Sequence, residues 1–192
     1  LVVPDRLRID AELAKKVNVT ECITGTSGWV LSPNQKTMVS ELHDVSGPEL
    51  EAAKFEIWRE PELILLKAAD AKAKLAPAPD ETIGGKPQAA VRLESPFGGL
   101  EVTLLVDRKT KLLTMMRYTD HGATVTDEYG DYRDVNGLKV AYKRTSTNQG
   151  RVTQLDLTKV ELDPKVDPTT FAKPKGVAAP APAPAPDAGK KT

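Results

Sequence analysis

The sequence predicts an α+β domain: a strongly curved antiparallel sheet, an incomplete half-barrel, covered by about two short helices. Three observations lead there. Asn136-Gly137 stands between two runs of strand formers, and that dipeptide tolerates the positive φ angles of a two-residue type I′ hairpin turn. Asn148-Gln149-Gly150 supplies a second reversal, with Gly150 suited to a left-handed position. Helical spacing appears in one place, after the third predicted strand, and helices gathered on one side of an antiparallel sheet make a layered α+β domain.

In order, Leu7, Ile9, Ala11 and Leu13 alternate with Arg8, Asp10 and Glu12, the period of a half-buried strand. Val17, Val19 and Ile23 repeat the pattern up to Thr24. Glu21 interrupts their apolar face and suggests an edge or a bulge. Gly25-Thr26-Ser27-Gly28 turns the chain into a third short strand, Trp29-Val30-Leu31, which Ser32-Pro33-Asn34 ends. Ser46, Pro48, Glu49 and Glu51 make a helix start. Leu50, Ala53, Ile57 and Trp58 then share one stripe. Pro61 interrupts, and a second helix follows from about Glu62 to Ala69, with Leu63, Leu66 and Lys67 on one face.

Pro77 and Pro79 confine their segment to an edge strand or a loop. Gly84-Gly85 and Gly98-Gly99 lack a phosphate-loop context and read as hairpin turns. Strands are predicted at Gln88 to Glu94, Leu100 to Asp107, Leu112 to Tyr118 and through the Thr124–Leu162 meander. In the meander Leu138, Val140 and Tyr142 form the apolar face, and Lys139, Ala141 and Lys143 the mostly wet one. Asp167 can cap a helical turn starting at Pro168, which would dock Phe171 on the domain. The domain is expected to span residues 1–174. The Pro-Ala repeat that dominates 175–192 has nothing to bury and is expected to be disordered.

Composition narrows the function. Lys plus Arg and Asp plus Glu number 27 each among 192 residues, which argues against a broad nucleic-acid surface. Cys22 is the lone cysteine, so no internal disulfide forms; both the cytosol and an unbridged periplasmic domain fit. No apolar run approaches the roughly 20 residues of a membrane helix. The start on Leu-Val-Val-Pro, without Met, reads as a fragment or a processed product.

Catalytic signatures are missing. His43 and His121 begin neither H-E-x-x-H nor H-x-x-E-H. A zinc site from His43, His121 and Cys22 has no support in spacing, and loop or surface histidines are the simpler reading. Gly25-Thr26-Ser27-Gly28 is one residue short of a nucleophile elbow. Asp127, Glu128, Asp131 and Asp134 could form an acid/base pair or a calcium site, or be solvated strand ends balanced by Arg133 and Lys143. The second reading is preferred, because calcium gathers six or more oxygens, typically on a glycine-containing loop. No cofactor or metal is expected.

The informative feature is an apolar excess. Leu104, Leu105, Leu112, Leu113, Met115, Met116 and Tyr118 put bulk on both faces of adjacent strands. One face must meet the helices. The other is either core or subunit contact, or a concave surface for a lipid or peptide, to which methionine adapts well. Leu104, Val106, Met116 and Tyr118 are the candidate ligand-binding residues.

Several phrases occur in a characteristic order: Pro4 to Ile9, Gly28-Trp29-Val30, Trp58-Arg59-Glu60-Pro61-Glu62, Glu81 to Gly85, and Val106-Asp107 with Thr110. Asp131 to Gly137, Lys159 to Pro164 and Asp167 to Phe171 complete it. Over residues 1 to about 174 this order resembles the bacterial lipoprotein-carrier superfamily of LolA and LolB type. It is similar above all to the version appended to the C-terminus of insulinase/pitrilysin-like peptidases in Gram-negative bacteria. The resemblance implies a bent, incomplete antiparallel barrel with covering helices, and a missing N-terminal helix and strand. It also implies a non-catalytic, periplasmic or outer-membrane-associated domain holding an apolar ligand, a lipid or a lipoprotein acyl chain. The alternative is an accessory domain of a larger zinc peptidase, serving docking or domain contact, with the catalytic zinc motif outside this chain.

Overall fold

The computed structural model describes residues 1, 6–13, 17–34, 36–97 and 100–177. The expectations for the opening Val-Val-Pro, for Gly98-Gly99 and for the tail beyond 177 lie outside them. The chain forms two compact units, one running from Leu1 to Ile57 and resuming at Val166, the other Trp58–Lys165.

The first unit holds a four-stranded antiparallel sheet in sequence order: β1 (Arg6–Leu13), β2 (Val17–Thr24), β3 (Gly28–Pro33) and β4 (Ser40–Val45). Helix α1 (Gly47–Trp58) follows. The pattern had not indicated β4. Its apolar residues, Leu42 and Val45, have opposite parity, so one is buried on each face and no alternation shows. Glu21 marks neither an edge nor a bulge. β2 is internal and pairs in unbroken register with Ile9 of β1 and Val30 of β3. Gly28 is more than a turn residue. A Cβ there would lie 2.6 Å from Ile23 Cδ1 and 3.0 Å from Val45 Cβ, so only glycine lets these two close over the strand.

On one face of this sheet Cys22, Trp29 and Leu42 form a buried cluster, joined by Leu31, Phe171 and Val177. Phe171 arrives as expected on a 3-10 turn (Pro168–Phe171), whose cap Asp167 accepts from the Thr169 backbone N–H at 2.8 Å. Trp29 Nε1 donates to the Phe171 carbonyl at 3.3 Å, and the Arg6 guanidinium sits 5.4 Å from the ring centre. Burial pushes the Cys22 thiol up, as befits an unreactive structural cysteine. The opposite face carries Leu7, Ile9, Ala11, Leu13, Val17, Val19 and Val30, half-buried or exposed, together with the buried Ile23 and Val45.

The second unit contains α2 (Pro61–Ala68) and an eight-stranded antiparallel sheet. Its strands are β5 (Leu75–Pro77), β6 (Glu81–Ile83), β7 (Lys86–Glu94), β8 (Glu101–Asp107), β9 (Leu113–Asp120), β10 (Ala123–Val135), β11 (Leu138–Asn148) and β12 (Arg151–Asp156). From β7 to β12 each strand pairs with the next, while β5 and β6 both pair with β7. The predicted turns form. Asn136 and Gly137 take φ of 49° and 87° between paired Val135 and Leu138, as a type I′ turn requires. Gly84-Gly85, His121-Gly122 and Gln149-Gly150 are two-residue reversals of the same positive-φ kind. In β11 Val140 and Tyr142 are buried as expected, but so is Ala141, and Leu138 is exposed. In α2 Pro61, Leu63 and Ile64 are buried while Leu66 faces solvent. Packing thus buries a face one step from the predicted one.

Candidate functional site

The candidate residues sit on the two central strands of the larger sheet. Register pairs Leu104 with Met116 and Val102 with Tyr118, it shifts between Leu105 and Val106, and the unbroken pairing with β7 keeps Val106 on the side of Leu104, so Leu104, Val106, Met116 and Tyr118 share a face. Leu104, Met116 and Tyr118 are 1%, 0% and 7% exposed; Val106 is half-buried. β10 continues the face with Val125 opposite Tyr118 and Asp127 opposite Met116.

This face lies under the segment that enters α2. The Arg59 guanidinium stacks over the Tyr118 ring at 4.7 Å and donates to Asp127 Oδ2 at 2.6 Å. Arg144 reaches from β11 to Glu60 Oε2 at 2.9 Å and to Glu62 Oε1 at 2.8 Å. Burial pushes the Glu60 carboxyl up, and Arg144 works against it. Burial, then the Asp127 charge, drives the Tyr129 phenol far above its ordinary value. Burial also raises Tyr132 to about 12, and its hydroxyl donates to the Leu113 carbonyl at 2.6 Å. The cover is therefore bonded around its polar margin and apolar beneath.

The other face of the same strands is covered too. Ala90, Leu105 and Met115 form a buried cluster with Ala78 and Ile83 against it. Arg117 holds Glu81 bidentately at 2.6 and 2.8 Å. The run of bulky residues that looked excessive in sequence thus serves two covered faces.

No protein-family model matches the sequence, and no curated protein matches it. Two solved structures do match in fold. A LolA superfamily protein from Nitrosomonas europaea aligns with a TM-score of 0.56 at 16% identity, over 84% of this chain and 73% of that one. A Vibrio parahaemolyticus domain named for outer membrane lipoprotein sorting aligns with a TM-score of 0.50 at 12% identity, over 88% of each chain. The chain has the LolA-type fold. The similarity expected from the order of short motifs is thereby shown for the architecture.

Within this LolA-type fold the carboxylates read together in sequence separate. Asp131 pairs with Arg133, and Asp134 with Lys139 and the Gly137 N–H, near the preferred reading of strand-end charges. Asp127 departs from it: it is buried on the covered face and paired with Arg59. Parity was the available signal, since Asp127 falls on the same side of its strand as Val125. Cys22 and His43 belong to opposite faces of the smaller sheet, and no three His, Cys, Asp or Glu side chains gather into a metal-binding group among the described residues. Nor is any helix among them long and apolar enough to cross a membrane.

Proposed function

We propose that this chain is a non-catalytic, extracytoplasmic domain that holds an apolar ligand, a lipid or a lipoprotein acyl chain. We assign the contact to the face bearing Leu104, Val106, Met116 and Tyr118. The fold shared with a LolA superfamily protein and with a lipoprotein-sorting domain supports a periplasmic or outer-membrane setting. The observation that carries the assignment is the construction of the cover. The 59–62 segment is fastened to the sheet by Arg59–Asp127 and by Arg144 with Glu60 and Glu62. Arg59 lies over Tyr118, and the same sheet face continues through Met116, opposite Asp127, to Leu104, side chains with no polar group to satisfy. An ion pair whose two members both reach water on opening exchanges for hydration at modest net cost, whereas a charge left buried without its partner is costly. A cover attached in this way can lift and let a chain of methylenes replace its apolar contacts.

A fatty acid titrated into the protein should raise its melting temperature, since a ligand that binds only the folded state stabilises it by mass action. It should shift the methyl signals of Met116 and Leu104 ahead of those of Ile9. Val106→Glu, at the half-buried part of this face, should weaken both effects with the fold intact, whereas Leu104→Glu buries a charge and tests only the packing. If no apolar ligand changes the melting of the parent, this face is ordinary core. The role then passes to the alternative, an accessory domain of a larger zinc peptidase.

A further inference from the structure

Strand β1 is an end strand of the smaller sheet and pairs along its whole length with β2 alone. Its outer N–H and C=O groups have no strand partner among the described residues. End strands are usually protected against further pairing by lysine, proline, a bulge or shortness. β1 has none of these: it is eight residues long, without lysine or proline, and its register is unbroken. Its side chains are sorted by face. Arg6, Arg8, Asp10 and Glu12 share one face, and Leu7, Ile9, Ala11 and Leu13 the other.

The order of charges sets this strand apart. Along RLRIDAEL the two arginines come first and the two carboxylates last. Consider a second copy laid antiparallel beside it, about a twofold axis through Ile9. Arg6 then falls opposite Glu12, Leu7 opposite Ala11, Arg8 opposite Asp10, and Ile9 opposite itself. A twofold axis normal to the sheet keeps every side chain on its own face, so the pairing must centre on a residue. Centring it on any other residue from Arg6 to Glu12 sets two arginines or two carboxylates against each other, which opposes pairing. Charge thus selects one register. β12, an end strand of the larger sheet, is exposed at every residue but has no such match. Centred on Thr153 it opposes Arg151 to Leu155, and centred on Gln154 it opposes Val152 to Asp156.

We infer that β1 is the seam of a homodimer, in which two copies of β1 pair antiparallel about Ile9 and join their four-stranded sheets into one. Within one copy Asp10 already accepts from Arg8 at 2.8 and 3.0 Å and from Thr20 at 2.8 Å. Across the axis each Arg8 meets the second copy's Asp10, so four charges alternate in sign around the twofold. On the other face Ile9 meets Ile9 and Leu7 meets Ala11, which removes apolar surface from water. A strand of another protein has to reproduce this charge order, whereas the chain carries its own complement. The inference does not rest on ligand binding at the covered face of the larger sheet.

A seam one strand wide is small, so the dimer is expected to be reversible. Sedimentation equilibrium of the full chain, up to about 1 mM, should show monomer–dimer exchange. Asp10→Arg, at a side chain 60% exposed, places arginine against Arg8 and should weaken dimerisation at least about tenfold. Adding Arg8→Asp to it exchanges the two charges and should restore the dimer, with circular dichroism as the check on the fold. Ile9→Cys and Leu13→Cys, both at exposed positions, test the register independently; the native Cys22 is buried. Ile9 faces its own copy across the axis. The two copies of Leu13 lie about 26 Å apart, at about 3.3 Å a residue, which no disulfide spans. Mild oxidation should therefore link Ile9→Cys and leave Leu13→Cys monomeric. A parent that stays monomeric throughout overturns the inference and leaves the edge to a different strand. So does a dimer that Asp10→Arg does not weaken, a folded charge exchange that restores nothing, or linking of Leu13→Cys as readily as Ile9→Cys.

Discussion

Strands β1 and β8 carry the same kind of pattern and are buried differently. Leu7, Ile9, Ala11 and Leu13 alternate along β1 much as Val102, Leu104 and Val106 do along β8. Ile9 and Leu13 nevertheless remain 45% and 53% exposed, whereas Leu104 is 1% exposed. β1 is the end strand of its sheet and β8 lies between β7 and β9. Both faces of β8 are also buried: Leu104 on the face where Arg59 lies over Tyr118 of the neighbouring strand, and Leu105 on the face closed by Ala78 and Ile83. Alternation tells which residues share a face. It does not tell whether anything lies on that face.

The comparison breaks most sharply under truncation. Leu104→Ala should cost about 2–5 kcal/mol, the lost transfer energy plus a cavity. Ile9→Ala should stay within about 1 kcal/mol, because half of that side chain already meets water. Urea unfolding of the two variants measures both. Equal costs would show that the face of β1 is covered after all.

A smaller effect is expected where both regions depend on glycine, for different reasons. Gly137→Val places a β-branched residue at φ 87° with nothing within 4 Å, so its cost is backbone strain alone, about 1–3 kcal/mol. Gly28→Ala meets Ile23 and Val45 at contact distances too short to keep and costs a similar amount through overpacking. Gly28→Ala combined with Ile23→Val should recover part of its loss. No second core change should rescue Gly137→Val.

The smallest effect concerns pH. Hydrogen bonds from Arg117 hold the Glu81 carboxyl below its ordinary range. A carboxylate depressed by folding contributes stability that is present above its unfolded pKa of about 4.3 and lost as pH falls through the folded value. Thermal melts of Glu81→Gln should therefore run parallel to the parent near neutrality and lose less below about pH 4. The pair is a third exposed, so the difference should be slight. Identical acid limbs would mean that the pair does not persist in solution.

The sequence by itself determined the local features. Asn136-Gly137, Gly84-Gly85 and Gln149-Gly150 define their hairpins because positive φ is a property of the residue and its neighbours. The Asp167 cap is local in the same way. Alternation marked which side chains share each strand face, and so brought Leu104, Met116 and Tyr118 together. Tertiary structure decided the rest. β4 exists because strand pairing supplies partners for a segment whose own pattern is flat, with Leu42 and Val45 on opposite faces. Asp127 is a buried ion-pair partner because Arg59, 68 residues earlier, reaches it. Leu66 is exposed and Ile64 buried because packing set the rotation of a two-turn helix too short for periodicity to fix. Each of these depends on a contact between residues far apart in the chain, and a residue's neighbours in sequence carry no record of what will be laid across it.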